Sequence, residues 1–446
     1  MSTDPNWLTP QSNDQNESAT AVETFAKHAT SLHTITATST VSPSPLEKPA
    51  PKSAWVILAL VGGIAGVAMS CFALTLIPFA FVQPAALRSI NAASAATVSF
   101  ISISGVGLIG APLAWHALRR MRHDEIERWK TDWFWVVVSG IMILLALIAG
   151  QLILFLKLFS GVVGVMQYIA TMLAALMILS ITVGNWGNFS KLRVWGHLAS
   201  GAWLAVPAAF LVEIVIAVVV AISVAAALAA FSPSEFSQLQ RLFQLYQRTR
   251  NLTLFSVWAA KPWVIALGFL MLSFILPTVE ELLKPFGVIL MLKRKTTPLE
   301  ECVGGMVGGL GIAAVETLSN LTAIGDVWLI TILARFGTMV MHGLTAGLVG
   351  WGWGQWAASR SWWSLIRSFI GAIFLHGLWN ASVVTIVLVG LRFGDNFRAL
   401  QNLGASAIPI VLLGFSLLVL IAMSFGGLVA LWGVGTRLRK SEEVIG

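Results

Sequence analysis

Residues 263–292 read WVIALGFLMLSFILPTVEELLKPFGVILML. The stretch is long enough to cross a bilayer, which takes about 20 apolar residues. Its only charged residues are Glu280, Glu281 and Lys284. A charge at the bilayer centre costs about 3 kcal/mol even on the lenient insertion scale, so such groups face a bundle interior or water. The stretch therefore predicts a membrane helix whose charged side chains gather at a site. Glu280 and Lys284 are i,i+4 and Glu281 and Lys284 are i,i+3, so the lysine can partly neutralise either carboxylate. Pro277 lies one turn before Glu280. It removes a backbone donor and predicts a bend beside the site.

The rest of the chain has the same character. It has 446 residues, 57% hydrophobic and only 11% charged, with mean hydropathy +0.82. A soluble domain does not need that balance. Nineteen Trp against two Tyr suit a protein with many water–lipid interfaces. The net charge of +8 sits mostly in loops, without a basic–aromatic groove pattern, so no nucleic-acid partner is expected. Cys71 and Cys302 lie in different apolar segments and form neither a disulfide framework nor a metal-ligand spacing.

The expected fold class is all-α, a polytopic helical membrane protein with about ten transmembrane helices. The candidate spans are 54–82, 93–118, 133–156, 162–184, 200–229, 263–292, 303–323, 327–353, 363–391 and 406–434. Little more than 157–161 joins the third to the fourth, as a tight hairpin or one broken helix. Residues 1–53 are rich in Ser, Thr, Asn and Pro and are expected to form a disordered cytoplasmic tail. Residues 54–230 hold the N-terminal spans, 231–262 an outer amphipathic loop, and 263–391 a four-helix catalytic core in the C-terminal half. Residues 392–446 hold the last span and a cytoplasmic C-terminus. Lys and Arg concentrate in alternate loops, among them 119–130, 191–193 and 293–295. That bias predicts a multi-pass cell-membrane protein with both termini cytoplasmic. Within the outer loop, Ser232-Pro233-Ser234-Glu235 is a capping-box pattern. Phe236, Leu239, Phe243 and Tyr246 follow at helical spacing, which predicts an amphipathic helix on the outer face.

Further ionisable residues fall in the next three spans: Glu316, then Arg335 and His342, then His376. Counted from the cytoplasmic ends, Glu281, Glu316, His342 and His376 all lie roughly 16–20 Å deep at 1.5 Å per residue. Glu316 shares a helix face with Asn320, and His376 with Asn380, each at i,i+4. Arg335 and His342 are seven apart, again on one face. Gly304, Gly305, Gly308, Gly309 and Gly311 give small-xxx-small pairs that allow close helix approach. Glu213, in a long apolar run, falls outside this cluster, and His116 is expected at an interface. The aromatics of residues 351–356 fit an interface belt at the cytoplasmic edge.

The candidate catalytic residues are thus Glu280, Glu281, Glu316, His342, His376 and Asn380, with Lys284 and Arg335 balancing charge. A glutamate can act as general base on a water, while His and Asn donate to an oxyanion. Alternatively Glu281, Glu316, His342 and His376 could hold a divalent metal such as zinc. No His-Glu-x-x-His occurs, and both mechanisms stay open. Buried Glu and His also make ion relays, so a proton- or ion-coupled transporter is the alternative reading. Crowding of the polar groups into four successive spans, without an inverted repeat, favours an enzyme.

Glu280-Glu281-x-x-Lys284, Ile312-x-x-x-Glu316, Arg335 with His342, and His376-x-x-x-Asn380 together resemble the PrsW family of intramembrane proteases. That family is distantly similar to the CAAX prenyl endopeptidases and bacteriocin-processing membrane proteases. GLGIAAVE at 309–316 and LHGLWNA at 375–381 look like its second and fourth helix motifs. Ile312 departs from the Phe usual at that packing position. The resemblance covers about residues 270–390. It implies an endopeptidase that cuts membrane-anchored proteins in the bilayer, with bacterial anti-sigma factors as the best-known substrate type. It brings Glu280, Glu281, Glu316, His342 and His376 into the site, with Asn380 as a helper. The family has been described as both metal-dependent and glutamate-dependent.

Overall fold

The computed structural model describes residues 56–57, 59–69, 71, 103–123, 127–130, 133–156, 161–184, 189–249, 252–291, 297–319, 328–393 and 407–443. Among them the chain is helical, with no strand beyond one isolated bridge between Arg128 and Ser190. The helices are α1 (Ala59–Met69), α2 (Gly110–His123), α3 (Trp133–Phe155), α4 (Gly161–Val183), α5 (Lys191–Phe231), α6 (Pro233–Thr249), α7 (Pro262–Leu290), α8 (Pro298–Ser319), α9 (Trp328–Ser359), α10 (Trp362–Phe393) and α11 (Ala407–Glu443). Eight of these are long and apolar enough to cross a membrane: α3, α4, α5 and α7 to α11. They coincide with the last eight expected spans, and the protein is a polytopic all-α membrane protein. The expected spans at 54–82 and 93–118 lie partly outside the described residues. The 1–53 tail, residues 157–160 and Asn320 lie wholly outside them. Helices α3 and α4 pack along one another, which makes them a hairpin and not one broken helix.

Helix α8 is the most enclosed span, whereas α5, α7 and α11 turn most of their surface outward. Glycine explains its position. Gly305 and Gly309 face α9, where a Cβ would meet the carbonyls of Ala346 and His342. On the opposite side the Gly308 carbonyl rests against Gly201 of α5. Small residues on both faces let α8 wedge between two backbones, and α8 with α9 forms the most extensive helix pair. Gln167 of α4 steadies the pair from behind. It accepts from Trp328 Nε1 at 2.9 Å and donates to the Thr317 carbonyl at 2.9 Å.

Two spans carry a π turn immediately before a proline. In α5 the turn covers Gly201–Ala205, ahead of Pro207. In α7 it covers Met271–Ile275, ahead of Pro277. In each, the shifted hydrogen-bond register and the missing proline N–H fall together, which marks a bend. Helix α6 follows α5 after Ser232 alone and buries no residue fully. It is tied back by Glu235 to Lys261 at 2.6 Å and by the Tyr246 ring against Phe255. At the far end of α9, Arg360 takes a left-handed φ of 58° with its guanidinium 4.8 Å over Trp356, turning the chain into α10.

Candidate active site

Four helices contribute to one cluster. Helix α7 supplies Glu280, Glu281 and Lys284 from the turn after the Pro277 bend. Helix α8 supplies Glu316, α9 supplies Arg335 and His342, and α10 supplies His376. The close contact at Gly309 sets the position of His342, because the atom it admits is the His342 carbonyl.

Each histidine is gripped on one nitrogen by a carboxylate. His376 Nδ1 lies 2.9 Å from Glu281 Oε1, and His342 Nε2 lies 3.2 Å from Glu316 Oε2. Such contacts need a proton between the atoms, so Nδ1 of His376 and Nε2 of His342 donate and the carboxylates accept. In each neutral ring the other nitrogen then carries a lone pair. Those two nitrogens both look at Glu280: His376 Nε2 is 3.8 Å and His342 Nδ1 is 3.9 Å from its Oε2. The rings cross at 68° with centroids 5.0 Å apart.

Around this centre, the charges are matched in pairs. Lys284 donates to Glu281, and its Nζ is 3.8 Å from Glu280 Oε2. Arg335 donates to Glu316 Oε2 at 3.0 Å and to Thr317 Oγ1 at 3.3 Å. The side chains of Glu281 and Lys284 are fully enclosed, whereas Glu280 is 16% and Glu316 27% exposed. Glu280 and Glu316 are therefore the two acidic side chains of the cluster that keep some open surface.

Among the described residues, Glu280, His342 and His376 form a group whose ligand atoms all lie within 4.8 Å of one another. Three electron-rich atoms repel one another unless a cation lies among them. Glu280 Oε2 and His342 Nδ1 are buried and make no hydrogen bond, which is costly for a polar atom without a compensating partner. The donor chemistry, two imidazoles and a carboxylate, is that of a catalytic zinc site with one position left open. The residues fit a divalent metal.

Two further residues bear on how the cluster is placed. Asn380 donates from Nδ2 to the Leu272 carbonyl at 2.9 Å, in the π turn of α7. Glu213 lies on the Val206–Phe231 part of α5, which packs against the Leu276–Leu283 segment of α7 that carries Glu280 and Glu281. Spacing does not signal this, because apart from Glu213 the Val206–Phe231 segment is apolar on every side and its facing cannot be read from periodicity.

The PrsW-protease family, described as a PrsW family intramembrane metalloprotease, matches residues 193–420, just over half of the chain. The match runs from α5 into α11 and so begins well before the 270–390 segment that carries the motifs. No curated protein and no solved structure matches the chain.

Proposed function

Because the chain belongs to the PrsW family of intramembrane metalloproteases, and so is a peptidase acting within the membrane, we propose that Glu280, His342 and His376 form its metal centre. The observation that carries this reading is the convergence of two carboxylate-gripped imidazoles on Glu280 Oε2, at 3.8 and 3.9 Å. A divalent cation such as zinc held there would lower the pKa of a water and polarise the scissile carbonyl.

The chain's own groups divide the remaining work. Glu280 Oε2, His342 Nδ1 and His376 Nε2 are the ligands. Glu281 and Glu316 are positioning residues: each holds a proton on the far nitrogen of its histidine, fixing tautomer and ring orientation. Lys284 and Arg335 offset the charge of those two carboxylates. The ligand set thus differs from the Glu281, Glu316, His342, His376 set weighed from sequence, with Glu280 moving in and the other two glutamates moving one layer out. The enclosing glycine-packed helices keep bulk water away, which strengthens each electrostatic contact.

The substrate is a membrane-embedded protein, and the resemblance of the motifs suggests an anti-sigma-factor-like one. The distribution of Lys and Arg supports a multi-pass membrane protein with both termini in the cytoplasm. Family membership favours the peptidase over the ion-coupled transporter.

Purified protein reconstituted with a membrane-anchored reporter tests the reading. Treatment with a strong chelator is expected to lower cleavage by about 100-fold or more, with recovery on adding zinc. Undiminished cleavage in metal-free protein would overturn the metal centre. Glu316→Gln is expected to weaken divalent-metal affinity by about 10–100-fold, the usual effect of losing an orienting partner. Competition against a chromophoric chelator reads that directly.

A further inference from the structure

We propose that Asn380 is a positioning residue that acts through the bend of α7, not a group that touches the substrate. The proposal rests on the function above, since it concerns how Glu280 and Glu281 are aimed.

The argument starts from Pro277. In a membrane every backbone carbonyl needs a partner, and a proline within a span removes one donor. Here the π turn compounds the loss. The Leu276 N–H bonds to the Met271 carbonyl, five residues back. The next amide at the same offset would serve Leu272, but that residue is Pro277 and has no N–H. Asn380 Nδ2 fills the role from α10, at 2.9 Å. Beside it, Gly377 leaves the Ser273 carbonyl room, because a Cβ there would strike that oxygen. Two positions three apart on α10 are thus fitted to the two carbonyls that the bend exposes.

The consequence for the site is rotational. A π turn inserts one residue, which turns everything after it by about 100° about the helix axis. Glu280 and Glu281 come three and four residues after Pro277. The direction of their carboxylates therefore depends on the turn that Asn380 stabilises. His376 lies one helical turn before Asn380 on α10 and meets Glu281 at 2.9 Å. One face of α10 thus both fixes the bend and receives its product.

The test is an epistasis experiment on full-length protein in nanodiscs. Asn380→Ala is compared with the unsubstituted protein, and Pro277→Ala/Asn380→Ala with Pro277→Ala. Pro277→Ala returns an N–H to position 277, where the ladder offers it the Leu272 carbonyl. In the native background we expect N380A to lower kcat about 30-fold with KM within about twofold, and to weaken zinc binding and lower Tm. In the P277A background the same substitution is expected to change each quantity by less than about threefold. Equal losses of kcat in both backgrounds, with Tm and zinc affinity unmoved, would overturn the proposal and assign Asn380 to the reacting carbonyl. If N380A does not fold, Asn380→Leu supplies the same comparison. Tm and zinc affinity do not depend on cleavage. Absence of cleavage throughout would sink the peptidase assignment while these two measurements still decide the role of Asn380.

Discussion

Replacing Glu280 with Gln is expected to lower the rate of substrate cleavage by about 10²–10⁴-fold while leaving the protein folded. The amide keeps the shape of the side chain and removes its charge. Glu280 is the one carboxylate that faces both free imidazole nitrogens, at 3.8 and 3.9 Å. It is also partly exposed, so its loss leaves no deeply buried cation without a partner: Lys284 still donates to Glu281. The same exchange at Glu281 has a different signature. Glu281 carries both Lys284 and His376 on one oxygen, so its loss disturbs a buried pair and destabilises the protein as well. Kinetics of E280Q in nanodiscs, alongside its Tm, check the point. A variant that still cuts at a tenth of the normal rate contradicts the role given to Glu280.

The second large effect is expected at a residue without a side chain. Gly309→Leu places side-chain atoms where the His342 carbonyl now lies, so α8 and α9 must separate. Overpacking of this kind costs about 1–3 kcal/mol, and more where backbone is the obstacle. The displaced residue is itself His342, so stability and metal affinity should fall together. Gly414 of α11, with nothing within 4 Å of its would-be Cβ, is the control: Gly414→Leu should leave Tm and cleavage close to those of the native protein. Equal Tm values for the two variants would show that the α8–α9 approach is not what holds the site.

Much of this arrangement is legible from residue order. Eight long apolar runs appear as the eight membrane-length helices of the described residues. The glycine pairs of α8 mark a close approach because only small residues let helices meet in lipid. Helical spacing puts Lys284 beside both glutamates, and the structure has both contacts. What spacing cannot supply is rotation. Glu280 and Glu281 are neighbours on a helix, about 100° apart, and either could face the histidines. The choice follows from the π turn at Met271–Ile275 and its support from Asn380, which joins residues distant in sequence. The rule that a proline in a membrane helix leaves carbonyls in need of donors was the available signal for Asn380. Glu213 offered none, since an apolar helix does not reveal which side a lone carboxylate occupies.

The most direct test of the central claim is the divalent-metal content of cleavage-active protein, measured by mass spectrometry beside His342→Ala and His376→Ala. The account predicts about one tightly held equivalent per chain in the active protein, as for a site with three protein ligands, and a large loss in either variant. Full cleavage activity without bound metal, or metal retained unchanged when both histidines are replaced, would contradict it.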